Sequence, residues 1–216
     1  DLPGKNQFSR CAIAFNKMLI ELREKEFISK FISRMALNSL VDKSDKTRKE
    51  SVTILYCSIK NIDSLMEKLP KEQAIKILNQ CLKIIQNQVV QFGGSVDKFT
   101  GNASLCVFKH EAALNQPLEA AIAIRDRMTE WLHEAQHVNQ AKLQVTVGIA
   151  SGKVILGHIG SEKRKDFTCI GNTVNLAARL GNIKLDELVH TQILIAEKVI
   201  EDFPEYVPNL QKFAFG

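Results

Sequence analysis

The sequence predicts an α+β fold built on a ferredoxin-like βαββαβ core. Three observations carry that reading. The run VTILYCSI (Val52 to Ile59) is apolar and β-branched over eight consecutive positions, the pattern of a buried strand. The stretch GGSVDKFTGNASLCVF (Gly93 to Phe108) holds two short strands joined by a tight turn at Thr100-Gly101-Asn102. Helical periodicity separates these segments from each other and from a later strand pair, in the order β-α-β-β-α-β.

The elements follow in chain order. A first strand is predicted over 51–59 and a long helix over 71–91. Strands over 94–99 and 103–108 form the hairpin, and a helix over 117–136 carries an apolar stripe of Leu118, Ala121, Ile122, Met128, Leu132 and Ala135. A strand over 143–150 comes next, then one over 165–170 that ends at Gly171 and feeds a helix capped by Asn172. The chain shows no internal repeat.

Ahead of this core lies a separate unit. Phe15, Met18, Leu19 and Leu22, then Phe27, Ile28, Phe31, Ile32 and Met35, recur at helical spacing between charged residues, which describes an amphipathic or coiled-coil helix over residues 1–41. The segment DKSDKTRKE (Asp42 to Glu50) lacks apolar residues and reads as a charged linker to a domain spanning 51–216.

Composition bounds the function. With 216 residues and 45% hydrophobic content the chain can bury an ordinary domain core. The net charge of +5 is dispersed, and no basic run is interleaved with aromatics, so no nucleic-acid partner is expected. Cys11, Cys57, Cys81, Cys106 and Cys169 are odd in number and lack CxxC spacing, and the last four fall in core elements, which points to a reducing, cytoplasmic compartment. No apolar run is long enough to span a bilayer.

The chemically suggestive segment is KRKDFTCIGNTVNLAARL (Lys163 to Leu180). Asn175 and Arg179 stand at i and i+4, on one face of the predicted helix. An amide beside a fixed guanidinium suits a phosphoryl group whose charge grows during reaction. His133-Glu134-Ala135-Gln136-His137 matches the HExxH zinc pattern, but both histidines lie away from the apolar stripe and no third ligand has recognisable spacing among His110, His158 and His190. It reads as the polar end of a helix.

Taken together, the first-strand run, the hairpin and the Gly157-to-Arg179 block resemble the class III adenylate/guanylate cyclase catalytic domain, over Ser51 to roughly Tyr206. The resemblance implies roles for six positions. Two family aspartates that hold Mg²⁺ or Mn²⁺ correspond to Ser58 and Asn102, so both metal ligands are replaced by neutral groups. Asp63 lies beyond the end of the first strand, and Asp97 is expected on the strand face opposite Lys98, so neither is expected to substitute. The purine-binding pair maps onto Lys98 and Thr168, and the catalytic ribose- and phosphate-contacting pair onto Asn175 and Arg179. A late phosphate-contacting lysine of the family has Lys212 as its candidate.

If each lost carboxylate removes about 3 kcal/mol of transition-state stabilisation, the rate falls about a hundredfold per site. Family sites form between two subunits, one supplying metals and the other the purine, Asn and Arg groups. The resemblance therefore implies a degenerate domain in signal transduction, inactive as a homodimer. One alternative is the purine- and arginine-supplying half of a heterodimeric adenylate cyclase, working on ATP with an Asp-bearing partner that brings Mg or Mn. Another is an active cyclase with unusual metal ligands. AFNKMLIELREKE (Ala14 to Glu26) resembles the end of a HAMP signal-relay module and the residues after it a transducing helix, which implies an upstream membrane sensor.

Overall fold

The computed structural model describes residues 3–29, 32–33, 36–37, 47–109, 116–134, 142–162, 165–184 and 191–202. A helix α1 (Pro3–Ser29) precedes the domain. The domain then runs β1 (Arg48–Lys60), α2 (Ile62–Lys68), α3 (Lys71–Gln91), β2 (Ser95–Thr100), β3 (Ala103–Lys109), α4 (Gln116–Glu134), β4 (Gln144–Gly160), β5 (Lys165–Ile170), α5 (Asn172–Asn182), β6 (Thr191–Ile195) and α6 (Glu197–Asp202).

Six strands form one sheet in the order β2-β3-β1-β4-β5, with β6 parallel to β4 on its far side. The central strand β1 is antiparallel to both β3 and β4, as two-strand hairpins and a split βαβ arrangement require. Its residues Val52, Ile54, Leu55, Cys57 and Ile59 are completely buried, which is why the sequence there is a continuous apolar run rather than an alternating one. Ala74, Cys81, Ile85 and Val89 of α3 join Leu118, Ala121, Ile124, Met128 and Leu132 of α4 in the same core cluster. The α4 stripe differs from the expected one at one place: Ile124 is fully buried and Ile122 only partly so. Ala135 lies outside the described residues.

Four boundaries differ from the expectation. The N-terminal helix expected over 1–41 ends at Ser29, and Ile32 and Ser33 are not helical. β1 begins at Arg48, inside the segment read as linker, because Arg48 to Glu50 pair with Leu156, Ile155 and Val154 of β4. β4 continues to Gly160 instead of stopping at 150, since its second half is held by β1 on one side and β5 on the other. Gly171, not Asn172, is the N-cap of α5, so that Asn172 is its first helical residue. The cap is made by backbone alone: the Gly171 carbonyl accepts from the Val174 N–H at 3.0 Å and the Asn175 N–H at 3.3 Å.

Helix α5 lies across β1 and β4 at very close range. A methyl group on Gly148 of β4 would overlap the Ala177 carbonyl and the Gly181 nitrogen of the helix, and one on Gly181 would come 2.5 Å from the Tyr56 carbonyl oxygen. Two glycines thus let helix and sheet backbones meet with no side chain between them. That contact fixes the height of every α5 side chain above β1.

Cys57, Cys81, Cys106 and Cys169 are buried and unbridged, and Cys11 is exposed. Burial pushes the Cys81 and Cys169 thiols up to about 12, so they behave as small apolar groups. Among the described residues no helix is long and apolar enough to cross a membrane. On α1, Phe15, Met18, Leu19, Leu22 and Phe27 of the predicted apolar stripe are exposed, Ile32 beyond it is partly buried, and Phe31, Met35 and the Ile28 side chain lie outside the described residues.

Candidate functional site

Three groups of side chains meet around β1, the β2-β3 turn, β5 and α5. The first is Ser58 with Asn102. Gly101, at φ 62, takes the left-handed turn that only glycine adopts cheaply, and this folds Asn102 back onto β1. The Ile59 N–H donates to the Asn102 carbonyl at 2.9 Å, and Asn102 Nδ2 donates to the Ile59 carbonyl at 2.6 Å. Ser58, the neighbour of Ile59, pairs with Ala103 in the ladder and is 2% exposed. Ser58 and Asn102 are therefore neighbours across the β1-β3 ladder.

Those residues do not fit a divalent cation. Neither carries a charge: Asn102 Nδ2 is spent on the Ile59 carbonyl, and Ser58 Oγ donates to Asn182 Oδ1 at 3.3 Å. Mg²⁺ and Mn²⁺ take anionic oxygens in the first instance, and both groups here are neutral. Asp63 sits in the first turn of α2, exposed and beyond the end of β1. Among the described residues, no three His, Cys, Asp or Glu side chains cluster as a metal site. What stands beside Ser58 is itself a cation: Lys60 Nζ donates to the same Asn182 Oδ1 at 2.9 Å. Burial, with Lys184 nearby, holds the Lys60 ammonium below its ordinary value.

The second group is the helix face. Asn175 and Arg179 are both exposed, and with Ala178, Asn182 and Ile183 they line one open recess of ≈ 540 Å³. The i, i+4 reading therefore places them on a common surface. Asn182 was not singled out from the sequence, although it stands three residues after Arg179 and so falls on the same face. Its Oδ1 accepts from both Ser58 Oγ and Lys60 Nζ of β1.

The third group joins the two ends of the sheet. β2 and β5 are opposite ends of the strand order, yet Thr168 Oγ1 of β5 donates to Asp97 Oδ2 of β2 at 2.6 Å. The sheet is curled enough for its edges to touch. Lys98 Nζ lies 3.8 Å from the same Asp97 oxygen, so Lys98 and Thr168 converge on one carboxylate. The expectation that Asp97 and Lys98 point apart is corrected here, because the β2-β3 register shifts between Val96 and Lys98. A bulge removes the strict alternation on which that expectation rested.

Asp97 is 7% exposed, and its Oδ1 has no hydrogen-bond partner among the described residues. Burial pushes its carboxyl above the ordinary range, opposed by the Thr168 hydroxyl and the Lys98 ammonium. His133 and Glu134 are exposed at the end of α4, and His137, His110, His190 and Lys212 lie outside the described residues. His158 packs edge-on against Phe167, with ring centroids 5.0 Å apart.

Comparison with known proteins agrees with this geometry. The structure is similar to a bacterial light-regulated adenylyl cyclase (TM-score 0.69, 24% identity, 81% of this chain and 54% of that one). It is also similar to the adenylyl cyclase CyaB from P. aeruginosa (TM-score 0.64, 25% identity, 74% and 83%) and to a guanylyl cyclase (TM-score 0.61, 25% identity, 73% and 79%). Among curated sequences, an uncharacterized Mycobacterium tuberculosis protein is 28% identical and an uncharacterized Mycobacterium bovis protein 31% identical, each over 176 residues covering 77% of this chain. The chain spans 31% of the length of each of these two relatives. Residues 44–201 match the model of the adenylate and guanylate cyclase catalytic domain, and the chain belongs to that family.

Proposed function

We propose that this domain binds a purine nucleoside triphosphate and acts in signal transduction without cyclising the nucleotide on its own. The observation that carries the reading is the state of Ser58 and Asn102. Both are neutral side chains where a cation site needs carboxylates, Ser58 bonded to Asn182 and Asn102 to Ile59. A cyclase must lower the pKa of the ribose 3′-hydroxyl and neutralise the triphosphate, and no carboxylate pair here can hold the ions for that work. The base- and phosphate-contacting set remains, with Lys98 and Thr168 gathered on Asp97, and Asn175 and Arg179 on an open helix face.

The test is ATP binding by equilibrium titration with and without Mg²⁺. This reading expects affinity that changes little with Mg²⁺ and falls on Lys98→Ala. No binding at millimolar ATP removes the nucleotide role and leaves a purely protein-binding one.

A second reading is favoured by the exposure of Asn175 and Arg179. Side chains that open outward suit a nucleotide held between this chain and a partner. An Asp-bearing cyclase chain would bring the metals, and this chain the arginine. Mixing the two then gives cyclic nucleotide that Arg179→Ala abolishes, whereas a mixture no more active than the partner alone rules it out. In either reading the exposed apolar residues Phe15, Met18, Leu19 and Leu22 of α1 form a parallel dimer contact, relaying a signal from an upstream sensor.

A further inference from the structure

The end of β1 carries positive charge that the described residues do not neutralise. Lys60 Nζ donates to Asn182 Oδ1 at 2.9 Å, and the Ser58 hydroxyl donates to the same oxygen at 3.3 Å. The ammonium therefore stands two hydrogen bonds away from Ser58 and is tied to α5. It has three N–H donors, and among the described residues it uses one of them. Because Asn182 Oδ1 is taken by β1, its amide N–H₂ is left for the recess that Asn182 lines with Asn175, Ala178, Arg179 and Ile183. Lys184 follows Ile183 in the chain, and its charge adds to burial in holding the Lys60 ammonium below its ordinary value. Among the described residues, none of Lys60, Arg179 and Lys184 has a carboxylate within ion-pair distance. Three cations thus stand at or beside one open recess of ≈ 540 Å³. Like charges gathered in this way repel each other until an anion joins them.

We propose that this corner is a metal-independent site for a polyphosphate chain, in which the fixed ammonium of Lys60, together with Lys184 and Arg179, supplies the positive charge that a divalent cation would otherwise bring. Phosphate oxygens accept short, charge-assisted hydrogen bonds from N–H donors, and a planar guanidinium can hold two of them at once. A triphosphate spreads its charge along a chain, which matches cations distributed over β1 and α5 better than a single compact anion does. The recess lining holds two amides and a guanidinium and no aromatic ring, so it suits a charged chain and not a flat apolar one. Ser58 and Asn102 are neutral, so neither competes with the anion for Lys60. Lys60 is the residue that sets this site apart, because it reaches the α5 face from the strand beneath it. The inference rests on the nucleotide-binding reading above and names the charges that receive the phosphate chain of that nucleotide.

The probe is inorganic tripolyphosphate, titrated calorimetrically into the full chain in EDTA, with ATP in a parallel titration. Lys60→Met keeps the length of the stem and removes the charge. It is expected to weaken tripolyphosphate and ATP alike by about fivefold to tenfold, Lys184→Met by about threefold, and Lys60→Arg by no more than about twofold. Lys184 is exposed, so its variant keeps the test available if Lys60→Met does not fold. Lys83→Met, at an exposed position of α3, should change neither titration, and a loss there equal to that of Lys60→Met overturns the inference in favour of diffuse attraction to a basic chain. Adding Mg²⁺ should strengthen neither titration, and tripolyphosphate binding that appears only with Mg²⁺ overturns the inference. ATP binding unmoved by Lys60→Met and by Lys184→Met overturns it too and leaves nucleotide binding standing. Tripolyphosphate held through Lys60, with ATP bound no more tightly, supports the polyphosphate site and removes the nucleotide reading. Binding of neither probe to the wild-type chain overturns both.

Discussion

Replacing Gly181 by alanine sets two effects of opposite sign against each other. Gly181 lies near the end of α5, and alanine there gains helix propensity worth up to about 1 kcal/mol. The added methyl, however, would sit 2.5 Å from the Tyr56 carbonyl oxygen and 2.8 Å from Tyr56 Cδ1. To restore an ordinary contact near 3.4 Å the helix must withdraw by about 0.9 Å. Forcing an extra carbon into a packed interior costs about 1–3 kcal/mol, so the steric term exceeds the propensity term. The net loss, up to about 2 kcal/mol, lowers the melting temperature by up to about 8 °C for a domain of this size. Withdrawal by that amount also carries the Ser58 to Asn182 bond, already 3.3 Å, out of hydrogen-bonding range. Thermal unfolding followed by circular dichroism reads the first effect. A raised melting temperature for Gly181→Ala would show that propensity governs this position and that the backbone contact between α5 and β1 is not as close as described.

Two further outcomes follow from burial. Ile124→Ala, at a fully buried position, should cost about 2–5 kcal/mol, while Ile122→Ala on the same helix should cost less than half as much; equal losses in urea unfolding would contradict the α4 orientation. Asp97 has a carboxyl raised by burial, so between the ordinary carboxylate value and the raised one the folded chain binds more protons there than the unfolded chain does. Stability from this group is therefore lost as pH rises through that window. Asp97→Asn should flatten that part of the stability profile, and an unchanged slope would show that the group titrates alike in both states.

The core was legible because its signals are local. The β1 run is buried on both faces and reads as uninterrupted apolar sequence, and Asn175 with Arg179 follows from helical spacing alone. What escaped is set by long-range pairing. Ser151-Gly152-Lys153 looks like the end of a strand, but β4 passes through it because β1 continues alongside. Arg48, Lys49 and Glu50 look like solvated linker, yet they extend β1, with Glu50 3.7 Å from Lys109 on β3. The Asp97 to Thr168 contact depends on a bulge and on the curl that brings β5 to β2, and neither has a signature in nearby sequence. Asn182 is the exception, since its place on the Arg179 face was there to be read.

If neutral side chains at Ser58 and Asn102 are all that prevent cyclisation, carboxylates placed there should restore it. Cyclic nucleotide formation from ATP and GTP, with Mg²⁺ and with Mn²⁺, should be measured for this chain beside its Ser58→Asp/Asn102→Asp double variant. The account predicts no product from the chain and product from the variant. Equal formation by both would contradict it, and would mean that other groups of this chain hold the ions.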